Sequence, residues 1–375
     1  MNTAKINQIE NKRILGRTVY TGTEETLPLF WGAAALELNV KSAEVWARIS
    51  GNWTTHEPWV AVEVNGYQTN RFMASKNPEW VCLARNLNAE KETLISIIKD
   101  TQAMAGDAEH VLFIHEIGLS ESGEFCKIPE RKLKIEFIGD SITSGEGLAG
   151  KPDEMDWISQ WMCASKTYAW QTAKAMNADM SAFSQCGWGI CWGWDGNIHN
   201  NMPEHYNKVC SLLNSEYQKE LGTCNTYDFP VKNDFVVVNL GTNDNGAFSQ
   251  PVWKDENGKE YPHAMDENNV ASVEDAELLK AGITAFLKNI REKNPESKIV
   301  WVWGMIRLKT VPPILQEAVS EYKKETGDYQ VYALELSAME DVEKTEEDKG
   351  SRGHPGPKTH RLAAEKLTAF LQSLL

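Results

Sequence analysis

The stretch LKIEFIGDSITSGEG (133–147) sets a compact strand-like run directly against a polar, glycine-rich turn. Runs of the same kind recur at FVVVNL (235–240), KIVWVWGM (298–305) and QVYALEL (330–336). Segments this short and apolar suit strands buried on both faces of a parallel sheet. Helix-like stretches lie between them. In 274–293, Leu278, Leu279, Ile283, Phe286, Leu287 and Ile290 fall on one face, and in 358–375 Leu362, Leu367, Phe370, Leu371 and Leu374 do the same. Alternating strand and helix predicts a three-layer α/β domain with ligands at the carboxyl ends of its strands. Trp301 and Trp303, inside a predicted strand, belong to its core.

Upstream the rhythm differs. AEVWARISG (43–51), WVAVEVNG (59–66), ETLISIIKD (92–100) and EHVLFIHEIGL (109–119) are short, rich in Val, Ile and Trp, and separated by turn residues such as Asn65-Gly66 and Gly106-Asp107. That spacing predicts an antiparallel β-sandwich of jelly-roll type. The break falls near Lys127-Ile128-Pro129, giving a sandwich over 1–128 and an α/β domain over 129–375.

Three blocks in the α/β half carry chemistry. In the first, Gly139-Asp140-Ser141 follows a buried strand, where a nucleophile is displayed with backbone N–H groups beside it. It is not a G-x-S-x-G elbow, and taken alone Asp140 and Ser141 would serve equally well as a helix cap. In the second, VVVNLGTNDNG (236–246), Asn243 follows another strand and can donate its side-chain N–H into the same crevice; Asp244 beside it is a candidate substrate contact. An Asx-type turn is the plainer reading of that loop. In the third, GSRGHPGPKTHRLAAEKL (350–367), His354 precedes the last helix and can serve as general base. His360, one turn into that helix, reads as structural.

With Ser, Asn and His at one rim in that order, the GDSI, G-T-N-D and late H-P blocks resemble the SGNH, or GDSL-type, hydrolase superfamily. The resemblance supplies the remaining block, Gly187 in SAFSQCGWG (181–189), as an oxyanion donor alongside the backbone N–H of Ser141 and the side chain of Asn243. The sandwich ahead of GDSITSGEG, together with SKTYAWQTAKAMNAD (165–179) and MPEHY (202–206), resembles carbohydrate esterase family 2 in particular. That resemblance implies a serine esterase removing acetyl groups from plant polysaccharide such as xylan or mannan, through an acetyl-enzyme on Ser141 and with no cofactor. The superfamily usually has Asp three residues before its histidine, and Ser351 stands there instead. Asp348, in the acidic run Glu346-Glu347-Asp348, is a possible third member. A backbone carbonyl orienting His354 in a Ser–His dyad is the favoured alternative, and some members of the resembled family are thought to use one.

Composition fits a soluble hydrolase acting on a neutral substrate. The 375 residues are 42% hydrophobic and carry a formal net charge of −15, which disfavours a nucleic-acid partner. No apolar run is long enough for a membrane span. The N-terminal MNTAKINQIENKRILGRTVYTG has no leader-like apolar region, so the expected location is cytoplasmic, or secreted if a leader was removed. Seven cysteines without framework spacing argue against a disulfide scaffold. Among 14 tryptophans, Trp188, Trp192 and Trp194 crowd CGWGICWGWDG (186–196), and Trp157 and Trp161 lie in the long loop after Ser141. Indoles in such loops are candidate sugar platforms. Cys186-x4-Cys191-x7-His199-x5-His205 has zinc-type ligands but not the usual spacing, so no metal is expected. The rival readings are an SGNH esterase for a lipid or thioester, which would want an apolar acyl channel, and a non-catalytic carbohydrate-binding protein.

Overall fold

In the strand over Glu44–Asn52 burial alternates along residues 44–49, with Val45, Ala47 and Ile49 buried on one face. The computed structural model describes the backbone of residues 1–375 and every side chain except that of residue 347, so the Glu347 carboxylate expected in a solvated acidic run lies outside the described residues. Two antiparallel sheets form from the N-terminal segments. One runs in the order Asn2–Lys5, Val111–Leu119, Glu44–Asn52, Glu79–Arg85, with Leu27–Leu29 also paired to Val111–Leu119. The other runs Glu124–Cys126, Ala35–Lys41, Thr93–Lys99, Trp59–Val64, Tyr67–Met73, with Lys12–Leu15 on Ala35–Lys41. Their apolar faces share one core, with Leu36, Leu38 and Ile97 from one sheet and Val45, Leu112 and Ile117 from the other. This is the expected sandwich.

The chain divides into two interleaved units rather than at a single break. Residues 1–131, 157–165 and 208–227 form the first, and 132–156, 166–207 and 228–375 the second. Polar anchors explain the two returning stretches. The Asp100 carboxylate, fully buried, accepts from the Ser165 amide at 2.8 Å and from Arg71 Nε at 2.6 Å. The Trp31 indole donates to the Val209 carbonyl at 2.7 Å. Trp157 and Trp161 therefore belong to the first unit, where Trp157 packs edge-on against His56.

In the second unit five strands form a fully parallel sheet: β1 (Leu133–Gly139), β2 (Ala178–Ser184), β3 (Phe235–Asn239), β4 (Lys298–Trp303) and β5 (Val331–Glu335). Their order is β2-β1-β3-β4-β5. All five residues of β3 are buried, as a central strand covered on both faces requires. The expected helices appear as α4 (Val273–Lys293), α5 (Val311–Thr326) and α6 (Pro357–Ser373), after the short α1 (Ser141–Ser144), α2 (Tyr168–Ala175) and α3 (Thr242–Ala247). One residue departs from the predicted face of α4: Leu278 is 54% exposed, and Leu279, Ile283, Phe286, Leu287 and Ile290 form the buried stripe. Trp301 and Trp303 are core residues, as expected. Among the described residues no helix is long and apolar enough to cross a membrane. The order of strands switches between β1 and β3, and a doubly wound sheet opens its crevice at that point.

Candidate active site

Both strands flanking the switch point run straight into functional turns. β1 ends at Gly139, where an added Cβ would lie 2.0 Å from Thr143 Oγ1, so only glycine lets α1 start so tightly. Asp140 caps that helix, its Oδ1 accepting from the Ile142 amide at 3.0 Å. The cap reading and the nucleophile reading are therefore compatible: Asp140 takes the cap, and Ser141, the first helical residue, has its hydroxyl left for chemistry. Asp140 is fully buried, and burial pushes its carboxyl up to about 7.

His354 meets Ser141 across 213 residues of chain, with Nε2 2.9 Å from Oγ. The other ring nitrogen, Nδ1, is 3.1 Å from the Arg352 carbonyl. A carbonyl can only accept, so Nδ1 carries the proton and Nε2 is the lone-pair nitrogen facing the serine hydroxyl. This is the tautomer a general base needs. Ser351, in the place of the missing aspartate, directs both its amide and its hydroxyl to the Gly147 carbonyl, at 2.9 and 3.4 Å. Asp348 does not complete a triad. Its Oδ2 accepts from Lys358 Nζ and from the Lys344 and Thr345 amides, each at 3.1 Å, and its reach is spent capping a turn. His360 is structural, as expected: Nδ1 accepts from the Tyr168 amide at 3.0 Å. Burial, with a smaller contribution from nearby His354, pushes its imidazole down to about 3.

Sequence reasoning missed two residues here. Glu146, 6% exposed, accepts from Arg352 Nε at 2.9 Å through Oε1, and its Oε2 is 3.6 Å from His354 Nε2. Arg352 holds a left-handed φ of +55°. A lone acidic residue within a glycine-rich turn, and the only cation between Gly350 and His354, were the available signals.

After β3, Asn243 sits in the first turn of α3 and is 6% exposed. Its Nδ2 donates to the Trp188 carbonyl at 2.9 Å, which fixes the amide; the group has a second N–H. Gly187 has a left-handed φ of +78°, and a Cβ there would come 3.0 Å from Trp194 Cδ1. Two sequence assignments need correction. Asp244 is fully buried and no substrate contact: Oδ1 accepts from the Ile190, Cys191 and Trp192 amides at 3.1, 2.8 and 3.2 Å, and Oδ2 from Ile190 at 2.8 Å. Trp192 is 2% exposed and packs on His263 and Phe248 with ring centroids 4.4 and 5.8 Å apart, so it is core rather than a platform. Trp188 is half-buried against His205, whereas Trp194 is 53% exposed beside Gly187. Cys191 directs its thiol at the Leu278 carbonyl, and burial pushes that thiol up. Among the described residues no group of three or more His, Cys, Asp and Glu side chains is arranged to hold a metal ion.

Comparison with known proteins gives the family and the fold. The GDSL-like lipase/acylhydrolase family profile matches residues 137–362, from β1 into α6. An acetyl xylan esterase, Est2A, from the rumen bacterium Butyrivibrio proteoclasticus superposes with a TM-score of 0.94 at 35% identity, covering 100% of this chain and 99% of that one. A family two carbohydrate esterase from Clostridium thermocellum in complex with cellohexaose superposes with a TM-score of 0.77 at 22% identity, over 96% and 99% of the two chains. The cellulase/esterase CelE of Acetivibrio thermocellus is 25% identical over 353 residues, which is 92% of this chain but 37% of that longer protein. The chain belongs to the GDSL-like lipase/acylhydrolase family and has the fold of the family two carbohydrate esterases.

Proposed function

We propose that the chain is a serine esterase that removes O-acetyl groups from plant polysaccharide of the xylan or mannan type, with Ser141 as nucleophile and His354 as general base. The observation that carries this reading is the 2.9 Å approach of His354 Nε2 to Ser141 Oγ, with Nδ1 held by a carbonyl. The 35% identity to an acetyl xylan esterase over the full chain supports the substrate class.

In this mechanism His354 takes the Ser141 proton as Oγ attacks the acetyl carbonyl. The backbone N–H groups of Ser141 and Gly187 and the second N–H of Asn243 stabilise the oxyanion. His354 then returns the proton to the departing sugar hydroxyl, leaving acetyl on Ser141. Water, deprotonated by His354, releases acetate and restores the serine. The exposed Trp194 indole beside Gly187, and the half-buried Trp188, offer a face to the sugar ring. Unpaired thiols at Cys82, Cys126, Cys191, Cys210 and Cys224 favour a reducing, cytoplasmic location.

Turnover of p-nitrophenyl esters of increasing chain length tests the acyl specificity. Acetate should be hydrolysed fastest, with butyrate and octanoate falling away steeply. Faster turnover of octanoate would replace the acetyl reading with a lipid esterase.

A further inference from the structure

The base in this site has no aspartate behind it, yet it sits in one well-defined orientation. What orients it is a backbone carbonyl, and a backbone carbonyl is only as fixed as its own residue. Arg352 is the residue concerned, and its φ of +55° is one that a residue with a Cβ adopts only where its surroundings impose it. Four contacts impose it. The Arg352 amide donates to the Glu154 carbonyl at 3.0 Å, Nη1 to the Met155 carbonyl at 2.7 Å, Nε to Glu146 Oε1 at 2.9 Å, and the preceding Ser351 amide to the Gly147 carbonyl at 2.9 Å. The loop over 146–155 thus grips the loop over 351–354 from one side. Gly147 lies at the crossing, with a φ of +73°; a Cβ there would come 2.5 Å from the Ser351 carbonyl oxygen and 3.2 Å from His354 Cβ.

The same carboxylate that clamps Arg352 also faces the base. Glu146 Oε2 lies 3.6 Å from His354 Nε2, beyond hydrogen-bonding distance but well within range of charge. The Glu146 side chain is 7% exposed and that of Arg352 32%, so water screens the cation more than the anion.

We propose that the Glu146–Arg352 ion pair does the work of the missing aspartate: Arg352 is clamped so that its carbonyl holds Nδ1–H of His354, and the buried carboxylate of Glu146 stabilises the imidazolium formed when His354 takes the Ser141 proton. Both are positioning residues that act through His354. The inference rests on the Ser141–His354 reading above and extends it. It also separates the two tasks of the usual aspartate, with orientation given to one edge of the imidazole and charge to the other.

Other ionisable groups around this cluster bear on its pH behaviour. His360 on α6 is held neutral by burial, with its imidazole pushed down to about 3. The Cys186 thiol, hydrogen-bonded with Glu146, is pushed up by burial. Burial, with smaller contributions from the Asp244 and Glu146 charges, pushes the Asp140 carboxyl up to about 7, so it titrates near neutral pH. An Asp140→Asn background removes that contribution.

The test is the pH profile of kcat/KM for acetate release by Glu146→Gln, Arg352→Gly and Arg352→Ala, with circular dichroism to establish folding. Glu146→Gln keeps an acceptor for Arg352 but removes the charge. It should lower kcat by about 10- to 100-fold, the usual cost of removing a group that supports a reacting one. Its acid limb should move to lower pH, because the imidazolium loses its anion. Arg352→Gly frees the anion from its cation, so its acid limb should move the opposite way. Glycine adopts the left-handed conformation without strain, so Arg352→Gly should retain more activity than Arg352→Ala. A merely structural role would not move the two limbs in opposite directions. Folded variants with unmoved acid limbs and kcat within twofold of the native chain would overturn the proposal. Failure of the dyad reading has a different signature, with Ser141→Ala remaining active whatever Glu146 does.

Discussion

Replacing Asp244 by alanine removes the acceptor of three buried amide protons, those of Ile190, Cys191 and Trp192. Each orphaned donor costs roughly 1 kcal/mol at the low end, so about 3 kcal/mol is at stake. Burial raises the Asp244 carboxyl above its ordinary range, meaning that its charge is held at a cost, and relief of that cost offsets part of the loss. A net loss of about 2–4 kcal/mol follows, or roughly 5–15 °C in melting temperature for a unit of this size. The loop that Asp244 holds starts three residues after Gly187, so kcat should fall by about 100-fold as an oxyanion donor loses its place, with KM changed less than about threefold. Asp244→Asn should be milder. Its remaining oxygen can keep the three Oδ1 contacts, while its amide faces the Ile190 N–H that Oδ2 accepts at 2.8 Å. Thermal melts and steady-state kinetics on acetylated xylo-oligosaccharide measure both effects. An Asp244→Ala chain with unchanged melting temperature and a raised KM would refute this reasoning and return Asp244 to substrate contact.

Two further perturbations follow from the site. Asp140 is raised to about 7 by burial, so the stability it contributes is complete below pH 4 and lost as pH rises through 7. Asp140→Asn, which keeps an acceptor for the Ile142 amide, should therefore be more stable than the native chain at pH 8, by about 2–4 kcal/mol at most and seen as a higher melting temperature, with little difference at pH 4. An equal difference at both pH values would contradict the burial argument. Trp194→Ala should raise KM for an oligosaccharide roughly five- to tenfold, from about 50 Å² of indole surface covered by a sugar ring. It should leave p-nitrophenyl acetate turnover within about twofold; an unchanged oligosaccharide KM would remove Trp194 from the sugar path.

Much of this was legible in the sequence because period and position carry it. Alternating burial over 44–49 and the continuous burial of 235–239 report which faces are covered, and covering is what distinguishes a sandwich from a parallel sheet. Ser141 and His354 could be placed because strand ends and loops near them were readable. Asp244 and Trp192 were misread for one reason: both sit in polar or glycine-rich loops, and sequence does not reveal that a loop folds its carboxylate and indole inward. Glu146 and Arg352 were missed for another, since the ion pair joins residues 206 apart and depends on a backbone angle at Arg352 that no residue type announces. The interleaving of 157–165 and 208–227 with the first unit likewise rests on anchors such as Asp100 and Trp31, whose partners are fixed only by folding.

In the proposed mechanism Ser141, activated by His354, carries the acetyl group. Acetate release from a defined acetylated xylo-oligosaccharide, compared between the native chain and folded Ser141→Ala, tests it most directly. Acetate release by the variant should fall by at least about four orders of magnitude, to the residual rate that binding and the oxyanion donors sustain alone. Release at the native rate from folded Ser141→Ala would contradict it.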